Sequence, residues 1–393
     1  MISLLIIIYL AFIMLGLPNV LGSAWPVMYG DLGVSAASAG IISLILSAAT
    51  IFGVLSCDKM IRRIGAGKLT LISLIVTATS LIGFSMGTNL IVLCLWSIPF
   101  GIGMGFIDAS LNNVVALHYK AIHMNWLHAF WGVGASIGPI IMSFFLVRQN
   151  SWEAGYRSIG LIQFAFVIVF LLTFKLWKKI PTTAADSEEL QQEPSSIKKL
   201  ISLPGVKQSS FIFFFYCAIE ATVGLWASSY LVVVRHLAEE IAALWVALYF
   251  GGITIGRFMS GFLSIRLSHK QLIGLGSGLI GLGTIILILP VPEIWLLISL
   301  FLIGFGCAPI FPSLMHETPN NFGAKNSQAI IGIQIGFAYM GSMFMPPLFG
   351  VLAEQTSYYL FPFYLAGFLI LMIITTKWLY QLVGQKLPKK NPF

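Results

Sequence analysis

The chain has 393 residues, of which 58% are hydrophobic and only 9% are charged, and its formal net charge is +8. A soluble protein keeps roughly a quarter of its residues charged, so this composition excludes an ordinary soluble globular protein. It indicates instead a protein that lies in a lipid bilayer.

Apolar runs of about 20 residues or more recur along the chain, and each is long enough to cross about 30 Å of hydrocarbon as a helix. We predict twelve spans, at residues 2–29, 35–57, 69–87, 90–118, 124–147, 155–177, 207–234, 240–265, 271–290, 293–316, 327–352 and 358–380. The first run lacks a basic start and is interrupted by Gly16, Pro18 and Pro26, so we expect a helix there and not a signal peptide. The predicted class is an all-α membrane protein.

Lys and Arg are distributed unevenly between the two sets of loops that alternate along the predicted spans. Of the 22 Lys and Arg residues, 18 fall in one set of loops and tails, three fall in the other (Arg148, Arg157 and Arg235), and Arg257 lies within a span. Basic residues near span ends are retained on the cytoplasmic side. The bias predicts a multi-pass protein of the cell membrane with both termini cytoplasmic. It also accounts for the net charge, so no nucleic-acid partner is expected.

Cysteine and histidine show no pattern of a metal site or an enzyme. The four cysteines lie in or beside apolar runs at unrelated spacings, which favours small apolar packing over a disulfide framework or metal binding; they are Cys57, Cys94, Cys217 and Cys307. The six histidines are scattered among loops and helix ends, and the sequence shows no nucleophile–base pairing. We expect neither a cofactor nor catalysis.

One long polar stretch, from Pro181 to Lys199, divides the predicted spans six from six. We therefore predict one bundle over 1–180, a cytoplasmic linker over 181–205, and a second bundle with a short tail over 206–393. Three pairs of segments support a duplication, with offsets of 208, 203 and 207 residues. The pairs begin at Gly53 and Gly261, at Gly101 and Gly304, and at Gly134 and Gly341.

Two parallel-repeat bundles joined by a polar linker resemble the major facilitator superfamily over the whole chain. In DKMIRR, Asp58 precedes Arg62 and Arg63 in the way of that superfamily's loop signature. Asp58 could meet the positive end of a neighbouring helix when the cytoplasmic side closes, which would make the loop a conformational gate. The alternative is that Arg62 and Arg63 only anchor the topology. Arg257, within the eighth span, either snorkels to the interface or holds an acid in a closed state.

Two carboxylates, Asp108 and Glu220, fall well inside predicted spans. A charge at the bilayer centre costs about 2.5 to 3.5 kcal/mol, so such residues are rare and usually functional. Because burial penalises the charged form of a carboxyl group, both are candidates for proton coupling and for substrate contact. The alternative is a structural acid hydrogen-bonded to Asn112, Asn113 or the backbone. The GIGMG run before Asp108 lacks the spacing of a nucleotide motif and indicates close helix packing.

Aromatic and amide side chains on several spans are candidates for binding a polar solute. A tryptophan ring can stack on the C–H face of a sugar while amides and carboxylates bind its hydroxyls. Tryptophans also anchor helices at membrane interfaces, which is the competing interpretation. Besides the two carboxylates, the predicted substrate-binding set contains Asn19, Asn112, Asn113, His128, Trp131, Trp226 and Gln334.

The segments GFIDASLNNV, AIEATVGLWASSYL and IGRFMSGFL together resemble the fucose permease group, the fucose-galactose-glucose:proton symporters. The resemblance implies that Asp108 is the coupling and sugar-contacting acid. Asn19 and Ser23 occupy the first span, where the fucose carrier of that group has an acid, so the substrate need not be fucose.

We therefore expect a monomeric transporter that carries a monosaccharide or similar small polar solute together with protons. The alternative is a proton-driven antiporter that exports drugs or metabolites, and a third class is a non-transporting receptor. The lining of the cavity should distinguish the sugar symporter from the drug antiporter. A sugar site needs several amides, whereas a site for lipophilic cations needs mostly aromatic and apolar lining around an acid.

Overall fold

The computed structural model describes residues 2–119, 121–179 and 200–384. In these residues the α-helices are α1 Ile2–Gly16, α2 Leu21–Asp31, α3 Ser38–Ile64, α4 Ala66–Phe84, α5 Leu90–His118, α6 Ala121–Gln149, α7 Trp152–Leu172, α8 Val206–Arg235, α9 Glu239–Leu263, α10 His269–Ile288, α11 Glu293–Cys307, α12 Ile310–Phe322, α13 Ala324–Gln355 and α14 Phe361–Gly384. Short 3-10 helices cover Phe174–Lys179 and Tyr358–Leu360. The described part of the chain contains no strand.

The helices form twelve segments that are long and apolar enough to cross a membrane, which confirms the predicted all-α fold. Helices α1 and α2 together make the first span, and α11 and α12 make the tenth. The prediction was closest for the fourth span, where α5 runs from Leu90 to His118. Most of the predicted linker lies outside the described residues.

Both composite spans are interrupted at a proline. Pro18 lies in the turn between α1 and α2, and Pro309 follows the end of α11. Proline has no backbone N–H and its ring clashes with the preceding turn, so a helix ends or bends there. Pro26, which we expected to break the first span, lies inside α2.

Helices α1–α7 form a first bundle and α8–α14 a second, and the two repeat the same packing. In the first bundle α5 packs on α3 and α4 while α1 packs on α6; in the second, α11 packs on α9 and α10 while α8 packs on α13. Gly101 of α5 lies against the Leu46 carbonyl, and Gly304 of α11 lies against the Tyr249 carbonyl. Gly304 comes 203 residues after Gly101, and Tyr249 comes 203 residues after Leu46. Neither glycine has room for a side chain.

The bundles meet mainly through α6 with α9, α3 with α13, and α2 with α8. We call the face where α1 begins and α14 ends the terminal side, and the opposite face the far side. On the far side Gly22 lies against the Gly224 carbonyl, and Gly40 lies against Pro347. The Ser143 hydroxyl there donates a 2.8 Å hydrogen bond to the Glu240 carbonyl. The far side is therefore closed.

Candidate functional site

A cavity lies on the terminal side of these contacts, where the second bundle forms most of its wall and the first bundle contributes His128. It comprises about 990 Å³ of empty space, including the open space at its mouth. Its wall runs from Glu220, halfway along α8, to Ser264 and His269, which flank the loop between α9 and α10. The lining residues are His128, Glu220, Arg257, Ser260, Gly261, Ser264, His269, Leu272, Phe311, Pro312, Ser313 and His316.

Glu220 and Arg257 form an ion pair in the wall of this cavity. The Arg257 Nη2 atom lies 3.5 Å from Glu220 Oε1, and the two side chains are 19% and 22% exposed, Arg257 being the less exposed. The second terminal nitrogen of Arg257 donates a 3.3 Å hydrogen bond to the His128 carbonyl, and the guanidinium lies 5.5 Å from the Trp131 ring centroid. Arg257 thus holds an acid of its own bundle and also contacts α6 of the other.

His128 and Trp131 stand on the first-bundle side of this contact. The His128 ring lines the cavity and meets the Phe12 ring edge to face at 5.9 Å. Trp131 is half-buried and meets Phe250 of α9 in the same way at 6.4 Å. Two predicted substrate-binding residues therefore lie beside the ion pair.

Asp108 occupies a separate position on α5 and does not line this cavity. Asn112 donates hydrogen bonds to the Asp108 carboxylate at 2.9 Å and to its carbonyl at 3.0 Å. Within the described residues no Lys or Arg pairs with Asp108. Asn113 is half-buried beside it.

Three other predicted substrate-binding residues do not line the cavity. Asn19 is exposed in the break between α1 and α2. Trp226 is fully buried, and its indole N–H donates a 2.8 Å hydrogen bond to the Pro346 carbonyl. Gln334 is also fully buried: its amide donates to the Ser209 hydroxyl and accepts from the Thr318 hydroxyl. The last two side chains are packed inside the second bundle.

The predicted gate residues Asp58, Arg62 and Arg63 are exposed at the terminal end of α3. Within the described part of the chain, no ion pair involves any of them. The expected lock therefore has no ion-pair partner among the described residues in this state.

The cavity matches neither of the two linings expected from the sequence. None of the described residues that form its wall is an amide, and four of the twelve lack a polar side chain: Gly261, Leu272, Phe311 and Pro312. The other wall residues contribute serine hydroxyls, imidazoles and the ion pair, but carbon atoms make up most of the exposed wall area. Sequence reasoning missed His269 and His316. The 203-residue repeat carried a signal for His316, which follows Phe311 at the spacing by which Asn113 follows Asp108.

Two six-span bundles that repeat one packing scheme around a polar cavity define a solute-transporter fold. The sequence model of the Major Facilitator Superfamily matches residues 4–244 and 209–392. The chain therefore belongs to the major facilitator superfamily, whose members are transporters and not enzymes, as the sequence predicted.

Relatives at low identity include proteins named as sugar transporters. The chain is 25% identical to the glucose/mannose transporter GlcP of Bacillus subtilis over 266 residues, covering 66% of this chain and 65% of that protein. It is 24% identical to a putative glucose/galactose transporter of Helicobacter pylori over 273 residues, covering 64% of each. It is also 21% identical to Bypass of stop codon protein 6 of Saccharomyces cerevisiae, covering 80% of this chain and 67% of that protein. The chain thus spans about two thirds of the length of these relatives.

The fold is similar to that of a bacterial homologue of the human lysosomal transporter Spinster. The unoccupied, inward-facing crystal structure of that protein superposes with a TM-score of 0.75, covering 97% of this chain and 96% of that one. Its occupied form gives 0.72 over 98% and 97%. The sequences are 12% identical in both cases, so the likeness concerns the fold alone.

Proposed function

We propose that this chain is a secondary active transporter that carries a monosaccharide or similar small polar solute together with protons. The two bundles rock about the central cavity and expose it to one side of the membrane at a time. The names of the relatives support a sugar as the solute. The single observation that carries proton coupling is the environment of Asp108.

Asp108 differs from Glu220 in what surrounds its charge. Glu220 has Arg257 within 3.5 Å, whereas the described partner of the Asp108 carboxylate is the amide of Asn112. An ionised carboxylate without a cation is costly in a membrane span, so binding a proton relieves that cost. Asp108 is therefore the group that exchanges a proton, whereas Glu220 is paired with Arg257.

The internal repeat supports a position for Asp108 that faces the space between the bundles. Its counterpart 203 residues later is Phe311, and the counterpart of Asn113 is His316. Both counterparts line the cavity from the second bundle. By the pseudo-symmetry, Asp108 and Asn113 present the corresponding face from the first bundle, where water and solute reach them when the bundles part.

The closed far side and the cavity on the terminal side are one of the two states that this mechanism needs. The orientation predicted from the Lys and Arg bias makes this the state open to the cytoplasm. In the opposite state the contacts of Gly22 and Gly40 separate and the terminal ends of the bundles approach. Asp58, Arg62 and Arg63 then gain neighbours and can act as the gate.

Export of lipophilic cations by proton antiport is less well supported. Such a site needs mostly aromatic and apolar walls. Here eight of the twelve lining residues offer a hydroxyl, an imidazole or a charged group, although carbon atoms make up most of the exposed wall area. The number of these polar groups favours a small polar solute.

The test is Asp108→Asn in proteoliposomes that report internal pH and glucose uptake together. We expect the variant to lose glucose-driven proton movement but to keep glucose exchange, because exchange needs the bundles to rock but no net proton. Glu293→Gln, which removes an exposed carboxylate at the start of α11, is the control and should couple normally. Wild-type proton movement in Asp108→Asn would remove Asp108 from the mechanism.

A further inference from the structure

Two histidines on neighbouring helices face each other at the mouth of the cavity. His269 is the first residue of α10, and His316 lies on α12. Their rings are stacked, with centroids 5.3 Å apart and planes only 10° from parallel. Both line the cavity, together with Ser264 and Ser313. The pair presents ring nitrogens and hydroxyls to whatever enters.

Two charged groups, Glu317 and Lys270, lie on the same two helices as this pair. Glu317 accepts a 2.9 Å hydrogen bond from the Tyr380 hydroxyl, and the Lys270 ammonium lies 4.4 Å from the centroid of the Tyr380 ring. Tyr380 therefore contacts both charged groups. The buried Nδ1 atom of His269 has no hydrogen-bond partner in the described part of the chain. One donor or acceptor of the pair therefore remains to be satisfied.

The lining as a whole has an excess of groups that can carry positive charge. Among the described residues it contains three imidazoles and one guanidinium but a single carboxylate, Glu220, which is paired with Arg257. A neutral imidazole has one ring N–H that donates a hydrogen bond, so an anionic group within reach of both rings can accept a hydrogen bond from each.

We propose that the cavity selects a monosaccharide that bears a carboxylate, a sugar acid, and that His269 and His316 bind this carboxylate. The inference rests on the proposed sugar transport and names the class of sugar. It also accounts for the imidazole and hydroxyl donors in the described wall, since a carboxylate accepts hydrogen bonds.

The test compares D-glucuronate with D-glucuronamide and D-glucose, using the full chain in lipid nanodiscs. Glucuronamide keeps every hydroxyl but lacks the charge, so the difference between the first two isolates the anionic group. A ligand that binds only the folded chain raises its thermal stability, which gives an apparent affinity. We expect glucuronate to bind about tenfold tighter than glucuronamide.

The double variant H269Q/H316Q removes both imidazoles while keeping polar side chains. We expect it to bind glucuronate about tenfold more weakly and to bind glucuronamide unchanged, which also shows that it folds. The matched control is His118→Gln, at the terminal end of α5 and outside the cavity wall, where the ring donates to the Val114 carbonyl. His118→Gln should keep the preference.

The outcomes separate this proposal from the one on which it rests. If glucose and glucuronamide bind as tightly as glucuronate, the sugar-acid proposal is overturned but the proposal of sugar transport remains. A preference for glucuronate that survives in H269Q/H316Q overturns the assignment to the histidine pair. Failure of all three sugars to stabilise the chain overturns both proposals.

Discussion

Arg257 of the second bundle is held between the Glu220 carboxylate, 3.5 Å away on α8, and the His128 carbonyl, 3.3 Å away on α6 of the first bundle. One guanidinium therefore joins the ion pair to the contact between the bundles. It can do both because its five N–H groups point in different directions in one plane. A change at Glu220 alters what holds Arg257, and thereby the α6–α9 contact.

The first prediction concerns this ion pair. Glu220→Gln and Arg257→Gln should each destabilise the chain by about 1–3 kcal/mol, because each leaves the other charge unpaired in the membrane. The double variant should lose less than the sum, with a coupling of about 0.5–3 kcal/mol, as measured by thermal unfolding in detergent. Glu293→Gln combined with Arg257→Gln is the additive control. Additive losses for the 220 and 257 variants would show that the pair contributes no coupling.

The second prediction concerns the closed far side. Gly22→Leu places a side chain against the Gly224 carbonyl, and such overpacking costs about 1–3 kcal/mol. The state shown here should be depopulated at least about fivefold, so a cysteine introduced at Ser264 in the cavity wall should react more slowly with an impermeant maleimide. Gly278→Leu is the control, since no neighbouring atom lies within 4 Å of a side chain there. Equal labelling of both variants would contradict the assignment of Gly22 to far-side closure.

The third prediction separates two tryptophans that the sequence treats alike. Trp226→Ala removes a fully buried ring and should cost about 3–5 kcal/mol of stability. Trp131→Ala removes a half-buried ring and its cation–π contact with Arg257, which costs about 0.5–1 kcal/mol, but it should slow glucose uptake more per folded molecule. Thermal unfolding and uptake on the same preparations measure both effects. A larger loss of stability for Trp131→Ala than for Trp226→Ala would contradict the assignment of Trp226 to stability and Trp131 to transport.

The fourth prediction tests the gate at the terminal end of α3. Asp58 is exposed and has no ion pair in the described part of the chain, so Asp58→Asn should change stability by less than about 0.5 kcal/mol. Its effect should appear in the rate of glucose exchange, because exchange passes through the state in which this end is closed. Lys59→Gln, at the adjacent exposed position, should leave the rate unchanged. If Asp58→Asn exchanges glucose at the wild-type rate, the loop acts only as a topology anchor.

The spans could be predicted from the sequence because a helix that crosses a bilayer satisfies its backbone internally and needs only a long apolar run. The close helix packing predicted from the glycines before Asp108 is also found, since Gly101 and Gly105 lie against carbonyls of α3. His269 offered no such local signal. It becomes part of the cavity because α10 packs beside α12 and brings its first residue opposite His316.

By itself, the sequence determined the number of spans, the superfamily and the position of Asp108 and Glu220 within spans, since these depend on runs of apolar residues and on single residues that break them. It did not place the buried Glu317 within a span, because the predicted tenth span ended at residue 316. The tertiary structure alone decided which polar groups meet. A residue on a helix can face lipid, its own bundle or the cavity, and only the packing of the neighbouring helices selects among these. That selection buried Trp226 and Gln334, paired Glu220 with Arg257, and gave Asp108 no cation among the described residues.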